Sequence, residues 1–412
     1  MIESRNHIYI FYHFFEPDDV VSARLYSQLA ADLVQRGWTF TAFPCNRSCH
    51  GSDTIYPSRT SWQQVSIHRI WRPAFSQSSF VGRLFNSIWM LFAWSIAALM
   101  LPKVKNEIVI IGTDPIFSVL LAIPWKLIRR HSRIVHWCFD LYPETAIADG
   151  IVSQQSPIAR IIHHILCIAY RRCSLIVDLG SCMRERLAKY QHGIPTCTIT
   201  PWALIEPPAL PIPDAKVRHQ LFGDAHLALL YSGTIGRAHS YDEFLRLARQ
   251  LRNHHVYFCF AGRGYRSDEL RATVDGSDTN IQVSGFATEN ELHNRLAACD
   301  IHMVSLRDDW TGAVVPSKFF GALAVGRPVL FAGSPESSIA HWIREHRVGW
   351  VLTTETHDAI ATALIELCQN PTALRQLQQH CHDVYTRYFS RKQMVDIWHD
   401  ELMKLHHSSP AK

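Results

Sequence analysis

The sequence predicts an α/β protein of two domains, each built on a doubly wound parallel sheet. Short apolar runs of strand length alternate with longer runs of helical periodicity, which is typical of βαβ units. A proline-rich segment, residues 200–213, divides this pattern into two series. The chain has 412 residues, enough to bury a core in each half. Ligands of such sheets bind at the carboxyl ends of the strands, so function is expected in the loops there.

The two series give the boundaries of the predicted domains. In the first, strands are predicted over 7–15, 38–43, 107–112, 133–139 and 175–179, and helices over 21–36, 116–128, 158–172 and 181–189. In the second, strands are predicted near 227–232, 257–261, 281–284, 301–305 and 329–332, and a last helical stretch from 371 to about 405. The resulting domains are residues 1–205 and 206–387, followed by a C-terminal helix at 388–412.

The composition favours a folded cytosolic protein. Hydrophobic residues make up 47% of the chain and charged residues 19%, which excludes a disordered chain. Residues 1–6 are polar and a short apolar run follows them, so no signal peptide is expected. The 11 cysteines are scattered, which favours reduced core thiols over disulfides. Cys45, Cys49 and His50 form a CxxxCH cluster, but no second ligand pair follows, so no metal is expected there.

The net charge of +5 is distributed unevenly along the chain. Residues 1–200 contain 20 Lys and Arg against 13 Asp and Glu, whereas residues 201–412 contain 21 against 23. A basic N-terminal half predicts an anionic partner surface. Nucleic acid is not predicted as the partner, because no nucleic-acid-binding motif is present. The candidates for contact with lipid phosphates are Lys103, Lys105, Arg129, Arg130 and Arg133, with an ordinary solvated face as the alternative.

An uncharged apolar segment, residues 84–101, lies inside this basic region. Its 18 residues are at the short limit for a membrane span. A buried or groove-lining core helix is one interpretation. A helix embedded in one face of a membrane, with Trp89 and Trp94 near the headgroups, is equally favoured. A true span is disfavoured, because both flanking regions are of the same α/β type and belong in one compartment.

Residues 311–333, TGAVVPSKFFGALAVGRPVLFAG, form the most informative segment. A turn leads through Pro316, Ser317 and Lys318 into a short predicted helix, and a buried strand follows. A phosphate placed at Ser317 and Lys318 would meet free backbone N–H groups, the positive end of the helix dipole and an ammonium group.

Three further motifs follow predicted strands. They are YSGTIGRAH at 231–239, AGRG at 261–264 and WCFDLYPE at 137–144. Together with VVPSKFFG at 314–321, they resemble the motifs of family 4 retaining glycosyltransferases, which have the GT-B fold. The resemblance extends over nearly the full length. It implies two Rossmann-like domains with a cleft between them, and a C-terminal helix that returns to the N-terminal domain.

The resemblance also implies roles for individual residues. The implied donor-binding residues are Gly233, Gly236, Arg237, His239, Gly262, Arg263, Gly264, Asp309, Pro316, Ser317, Lys318 and Phe319. Arg237 and Lys318 would hold the diphosphate and stabilise its departing charge. Asp140 would orient the acceptor hydroxyl or take its proton, with Glu144 as a second candidate and an N-cap as the alternative role.

The sequence departs from the resembled family at two places. Gly321 and Thr311 stand where glutamates are usual, so Asp308 or Asp309 is a candidate to contact the donor sugar, with loop solvation as the alternative. The loop after the first strand carries Asp18 and Asp19 instead of a glycine pair. Carboxylates there would repel a diphosphate, so this loop is expected either to face the acceptor or to cap the next helix.

The resulting hypothesis is a cytoplasmic glycosyltransferase on the inner face of the cytoplasmic membrane. It would move a sugar from a nucleotide-diphosphate sugar to a polyprenyl-diphosphate-linked saccharide with retention, in bacterial surface polysaccharide synthesis. No cofactor and no essential metal are expected, because Asp308 and Asp309 are adjacent and do not form a spaced DxD site. The alternatives are a sugar-nucleotide epimerase and a non-catalytic scaffold of a polysaccharide-assembly complex.

Overall fold

A computed structural model describes residues 6–50, 53–77, 79–102, 104, 106–190, 193–286 and 289–407. The chain divides into two compact units. The N-terminal unit runs to Thr200 and takes up the chain again from Met394, while the C-terminal unit is Pro201–Gln393. The predicted domain boundaries at 205 and 387 therefore differ from those of the structure by five and six residues.

The N-terminal unit is built on an eight-stranded sheet with the order β3-β4-β2-β1-β5-β6-β7-β8. Its strands are β1 (His7–Phe11), β2 (Thr39–Ala42), β3 (Arg59–Trp62), β4 (Val65–His68), β5 (Ile108–Gly112), β6 (Arg133–Trp137), β7 (Leu175–Asp178) and β8 (Thr196–Thr198). Only β3 and β4 pair in antiparallel fashion; the other pairs are parallel. The residues of β5 and β6 are buried throughout, as expected for parallel strands covered on both faces.

Helices cover the two faces of this sheet, and those predicted over 21–36, 116–128, 158–172 and 181–189 are shorter than predicted. They are α1 (Val21–Val34), α2 (Phe80–Met100), α3 (Ala122–Ile128), α4 (Glu144–Ala148), α5 (Pro157–Tyr170) and α6 (Ser181–Leu187). The helix predicted over 116–128 is split, because residues Ser118–Leu121 form a 3-10 turn before α3 begins.

The C-terminal unit is built on a six-stranded parallel sheet with the order β11-β10-β9-β12-β13-β14. Its strands are β9 (Leu227–Thr234), β10 (Val256–Arg263), β11 (Ile281–Ser284), β12 (Ile301–Ser305), β13 (Val329–Ala332) and β14 (Gly349–Leu352). Its helices are α7 (Ala215–Phe222), α8 (Asp242–Gln250), α9 (Ser267–Thr273), α10 (Glu289–Ala298), α11 (Lys318–Ala324), α12 (Ser338–His346), α13 (His357–Gln369) and α14 (Pro371–Val384). Both units are thus doubly wound α/β folds, which confirms the predicted fold class.

The end of the chain belongs to the N-terminal unit. A π-helical turn, Tyr385–Phe389, separates α14 from the last helix, α15 (Arg391–His407). Trp398 of α15 packs edge-on against Trp137, with 4.9 Å between ring centroids. Arg36 donates to the Asp396 carboxylate at 2.5 Å. These contacts anchor α15 to the sheet of the N-terminal unit.

Candidate functional site

Two glycine turns stack on one another at the carboxyl ends of β9 and β10. Gly233 lies opposite Gly262 in the parallel register. A Cβ atom on Gly262 would lie 2.1 Å from the Gly233 carbonyl oxygen, so no side chain fits there. Gly264 has φ of +140°, and a Cβ there would come within 2.6 Å of the Ile235 carbonyl oxygen. Glycine at these positions lets the two turns approach each other closely.

Lys318 reaches the β9 turn from the start of α11. Its Nζ donates to the Thr234 carbonyl oxygen at 3.1 Å and lies 3.3 Å from Nε2 of His239. The ammonium also lies 5.1 Å from the centre of the Tyr231 ring. A Cβ on Gly233, whose φ is +116°, would sit 3.0 Å from Lys318 Cε. The structure therefore brings Gly233, His239 and Lys318 together, three residues that the sequence assigned to donor binding.

The contact between Lys318 and His239 leaves two donors facing each other. The Gly236 N–H donates to Nδ1 of His239 at 3.2 Å, which places the imidazole proton on Nε2. Burial, and then the charge of Lys318, lowers the pKa of His239 to about 3, so this ring is neutral at pH 7. Burial lowers the pKa of Lys318 to about 8, and the ammonium form still dominates at neutral pH. An oxyanion accepting from both groups would resolve the conflict, so the pair is suited to phosphate.

The loop that carries His239 is held by Arg266, which the sequence analysis did not identify. Its guanidinium donates to the His239 carbonyl oxygen at 2.9 Å, stacks on the Tyr241 ring and pairs with Glu269. The hydroxyl of Ser305, at the end of β12, accepts from the Ser240 N–H at 3.2 Å. Neither Arg266 nor Ser305 belongs to one of the four sequence motifs, so no local signal pointed to them.

The two motif arginines stack on aromatic rings at the edge of these turns. The Arg237 guanidinium lies 4.3 Å from the centre of the Tyr265 ring, and that of Arg263 lies 4.3 Å from the centre of the Phe286 ring. Stacking leaves the edge of a guanidinium available for hydrogen bonds. The role of Arg237 in holding a diphosphate stays a prediction.

The start of α11 differs from the predicted phosphate cradle. The helix has only seven residues, and the N–H groups of Phe319 and Phe320 already donate to the Pro316 and Ser317 carbonyl oxygens. The Phe319 side chain is fully buried and packs against Trp342 at 5.7 Å between ring centroids. Its prediction as a donor contact is therefore wrong for the side chain, because an aromatic cluster encloses the ring. The ammonium of Lys318 remains the main polar group that this segment offers.

The acidic candidates near this segment lie in a short 3-10 turn, Asp308–Trp310. Both Asp308 and Asp309 are exposed, so their role stays open between sugar contact and loop solvation. At Gly321 a Cβ would have no neighbour within 4 Å, so the position where the resembled family has a glutamate borders open space.

In the N-terminal unit, Asp140 follows β6 next to the end of β5. The N–H groups of Phe139 and Asp140 donate to Thr113 Oγ1 at 3.2 and 3.4 Å. Burial, and then the charge of Asp114, raises the pKa of Asp140 to about 6. The residue before α4 is Pro143, with no side-chain cap, so Asp140 is not an N-cap. A half-buried carboxylate with a raised pKa suits a proton acceptor.

Two acceptor-side predictions are corrected by burial. Glu144 is 1% exposed, and its Oε1 accepts from Tyr190 and Lys189, both at 2.6 Å. Asp18 is 4% exposed and accepts from the Cys49 N–H at 2.8 Å. Both carboxylates therefore hold the fold together and do not face a substrate.

Asp19 is exposed, but it does not cap α1. The residue before α1 is Val20, and no side chain caps that helix, so the capping alternative for Asp18 and Asp19 is wrong. Ligand atoms of Asp19, Cys49 and His50 lie within 4.8 Å of one another. In the structure the cluster therefore consists of Asp19, Cys49 and His50. Cys45 is not part of it, because its thiol is buried and donates to the Arg47 carbonyl oxygen.

The predicted lipid-contact residues separate into distinct groups. Lys103 and Lys105 lie outside the described residues. Arg129 is buried, pairs with Glu107 at 2.6 Å and donates to the Ala98 carbonyl oxygen at 2.8 Å, and Arg133 is also buried. Arg130 is exposed and remains available. The predicted contacts of Arg129 and Arg133 with lipid are therefore wrong.

Helix α2 has one buried face and one exposed apolar face. Trp94 is fully buried and donates to the Phe43 carbonyl oxygen at 2.9 Å, so it does not lie at a headgroup level as predicted. Phe85 and Phe92 are 52% and 59% exposed. In the described part of the chain, α2 is a helix long and apolar enough to cross a membrane, and 33% of its apolar window is buried. A fully buried core helix is excluded.

Comparisons with known proteins place these features in a class. Residues 226–370, which include both glycine turns and Lys318, match the family model described as "Glycosyl transferases group 1". The chain has the GT-B fold. Sucrose-phosphate synthase from Thermosynechococcus elongatus aligns over 98% of this chain and 100% of its own, with a TM-score of 0.72 and 14% identity.

Two other relatives extend the comparison. The chain is 24% identical over 307 residues to "Probable glycosyltransferase WbjE" of Pseudomonas aeruginosa, covering 72% of this chain and 74% of that protein. Anabaena Alr3699/HepE, whose structure is a complex with UDP, aligns over 97% of this chain and 100% of its own, with a TM-score of 0.65 and 11% identity. Residues 226–370 of the C-terminal unit are thus similar to a group 1 glycosyltransferase domain.

Proposed function

We propose that this protein transfers a sugar, with retention, from a nucleotide-diphosphate sugar to a lipid-linked saccharide acceptor. The observation that carries the proposal is the pairing of the Lys318 ammonium with the neutral His239 at the Gly233 turn. Two half-buried donors converge there, at the carboxyl ends of strands, where a diphosphate would accept from both. HepE, a protein of the same fold, has been solved with UDP and with UDP-glucose.

Each group has a part in the proposed reaction. Lys318 and Arg237 stabilise the negative charge that develops on the departing diphosphate. Asp140 orients the acceptor hydroxyl and takes its proton. No metal is required in this scheme, because the two cationic side chains offset the negative charge of the leaving diphosphate.

Screening nucleoside diphosphates by thermal shift tests the donor half of the proposal. A ligand that binds only the folded protein raises the melting temperature with its concentration. UDP, ADP and GDP are compared, and at least one is expected to raise it in wild type but not in Lys318→Ala. Lys216→Ala, an exposed lysine of the same unit, is the matched control. No shift with any nucleotide contradicts donor binding.

Transfer itself is tested with the sugar donor of the nucleotide found in this screen and a polyprenyl-diphosphate-linked saccharide. The anomeric proton coupling of the product, read by NMR, reports retention or inversion. Activity that persists in EDTA supports a reaction without an essential metal. Binding of the donor without turnover on any lipid-linked acceptor would favour the non-catalytic scaffold.

We further propose that the exposed face of α2 rests on the cytoplasmic face of the membrane. Helix α5, which like α2 packs against α3, exposes two more apolar side chains, since Ile158 and Ile161 are 64% and 59% exposed. Exposed apolar side chains on these helices fit a membrane surface better than water. Transfer to a lipid-linked acceptor would also take place at a membrane surface, which agrees with this position of α2. WaaG, a glycosyltransferase involved in lipopolysaccharide biosynthesis, has a TM-score of 0.61 with this chain.

Liposome flotation tests the membrane contact. Phe85→Ser with Phe92→Ser is expected to reduce the bound fraction several-fold, because two exposed aromatic anchors are lost. Ile55→Ser, also 58% exposed but outside α2, is the control and is expected to bind like wild type. Equal flotation of all three proteins would contradict the proposal.

A further inference from the structure

An unpaired arginine is buried at the carboxyl end of the N-terminal sheet. The Arg72 side chain is 0% exposed. Among the residues that the structure describes, none lies within hydrogen-bond distance of its Nε, Nη1 or Nη2, and no carboxylate lies within 4.0 Å. A buried guanidinium without a hydrogen-bond acceptor is costly, because its N–H groups have left water and none of them is satisfied.

Hydrogen bonds hold the backbone around Arg72 in place, so the burial of its side chain follows from the local fold. The Arg72 N–H donates to Asn46 Oδ1 at 2.9 Å, and Nε of Arg47 donates to the Arg72 carbonyl oxygen at 2.7 Å. Asn46 in turn donates its N–H to the Ile70 carbonyl oxygen at 2.9 Å. Both sides of the chain at Arg72 are therefore tied to the segment that follows β2.

A second buried donor lies in the same region. His13 follows β1 and is 2% exposed, and its Nδ1 contacts Asp114 Oδ1 at 3.2 Å. Its Nε2 has no hydrogen-bond partner among the described residues. Although burial works against the charge, Asp114 and Cys45 raise the pKa of His13 to about 9, so Nε2 carries a proton at pH 7. The Cys45 thiol donates its own proton to the Arg47 carbonyl oxygen at 3.1 Å, so toward His13 it offers only a weak sulfur acceptor.

Strand order places these two groups at the same edge of the sheet. β4, β2, β1 and β5 are neighbours in the sheet, and Arg72, Cys45, His13 and Asp114 follow them in that order. Asp114 and Cys45, which raise the pKa of His13, also act on Arg72 and partly offset the effect of its burial. Asp114 is 39% exposed and marks where this region meets solvent.

We infer that Arg72 and His13 form a second oxyanion site, which holds a phosphate group of the acceptor. A guanidinium presents a planar fork to phosphate oxygens, and the imidazolium N–H adds a third donor. Asp114 also raises the pKa of Asp140, so the site adjoins the group assigned to the acceptor hydroxyl. An acceptor whose first sugar carries a diphosphate would place its phosphate here and its hydroxyl at Asp140. This inference rests on the proposed transferase function.

Calorimetric titration with inorganic pyrophosphate tests the site directly. Lys318→Met is used as the background, so that the site in the C-terminal unit does not contribute. This protein is expected to bind pyrophosphate, and adding Arg72→Met is expected to weaken binding roughly 10- to 100-fold, the worth of charge-assisted hydrogen bonds. Adding Arg59→Met, an exposed arginine of the same unit, is expected to change nothing. Equal binding with and without Arg72 would overturn the inference.

The same titration separates this inference from the proposed function. If nucleoside diphosphates fail to bind wild type while pyrophosphate binding depends on Arg72, the oxyanion site stands and the donor assignment falls. The reverse result removes the oxyanion site alone. Vesicles of phosphatidylcholine with and without phosphatidylglycerol distinguish a headgroup from an acceptor phosphate. An Arg72 effect on vesicles but none on pyrophosphate would overturn the acceptor assignment.

Urea unfolding without added anion controls for a structural role of Arg72. Arg72→Met is expected to be at least as stable as wild type, because it replaces an unpaired buried charge with an apolar chain of similar length. A marked loss of stability would show that the guanidinium is satisfied within the fold and would overturn the inference. His13→Gln in the Lys318→Met background is a second test on a protein that keeps Arg72, and pyrophosphate binding that this change leaves unaltered would overturn the pairing of the two groups.

Discussion

Replacing Lys318 with methionine removes the central charge of the donor site and leaves its packing in place. Methionine keeps an unbranched chain of similar length beside Gly233, where Lys318 Cε sits 3.0 Å from the position of a Cβ. The lost interaction is a charge-assisted hydrogen bond to a phosphate oxygen, worth about 1.5–3 kcal/mol. Binding of the nucleoside diphosphate should therefore weaken roughly 10- to 150-fold.

The pH dependence of that loss is a sharper test than its size. With a pKa of about 8, Lys318 is charged in most molecules at pH 7 and in a minority at pH 9. Because the phosphate needs the ammonium form, wild-type affinity should be flat below pH 7 and fall by up to ~tenfold per pH unit above 8. His239 stays neutral over this range, since its pKa is about 3.

Isothermal titration calorimetry from pH 6 to 9.5 measures both proteins with the tightest of UDP, ADP and GDP. Titration of the ligand is common to both and cancels in the ratio of dissociation constants. That ratio should be large at pH 7 and shrink above pH 8. Lys216→Met should follow wild type at every pH. A ratio below about three at pH 7, or one that does not change with pH, would refute the assignment of Lys318 to the phosphate.

Three other substitutions test the fold and the acceptor side. Gly321→Ala should raise the free energy of unfolding by about 0.5–1 kcal/mol, because alanine favours a helix interior and its Cβ meets no atom within 4 Å; Gly326→Ala, at φ +66°, should lower it, and urea unfolding that reverses this order would contradict the geometry. Glu107→Gln should cost about 3–5 kcal/mol in the same assay, since it leaves the buried Arg129 without its carboxylate, and a loss below about 1 kcal/mol would show that the carbonyl oxygens around Arg129 suffice. Asp140→Asn should cut transfer by roughly 10²–10⁴ with nucleotide binding unchanged, and wild-type transfer should fall as pH drops below about 6, where burial leaves this carboxyl protonated; a wild-type rate unchanged down to pH 5 would exclude the carboxylate as the working form.

Local patterns were sufficient for most of the sheet. Short continuous apolar runs between helical segments, such as those of β5 and β6, predict buried strands. Their predicted positions agree with the structure to within two residues. The hairpin of β3 and β4 was missed because its turn, Gln63-Gln64, has positive φ at both residues without a glycine or asparagine. The edge strand β14 was missed as well, since its four residues carry too little pattern.

Side-chain direction accounts for the site errors. Phe319 stands beside Lys318 in the motif, yet one turns into an aromatic cluster while the other reaches the β9 turn. Glu144 follows Asp140 by four residues, and the sequence does not show that Tyr190 and Lys189 already occupy it. Spacing along a chain places backbone atoms, whereas packing decides which side chains stay available.

The limits of sequence-based prediction are greater in the N-terminal unit, because its buried cations, His13 and Arg72, belong to none of the four motifs. His13, Cys45, Arg72 and Asp114 are separated by up to 101 residues, and only the strand order β4-β2-β1-β5 makes them neighbours. In the C-terminal unit a short motif delivers a lysine to a glycine turn, so the sequence predicted the residues that meet there. A site assembled from the ends of four strands leaves no such trace. Its signature is energetic, since a guanidinium and an imidazolium N–H remain buried without acceptors. Buried groups of this kind are rare in folded proteins and call for a functional or structural explanation; a bound phosphate is the explanation inferred here, so Arg72 is the residue on which the acceptor side of this protein is best tested.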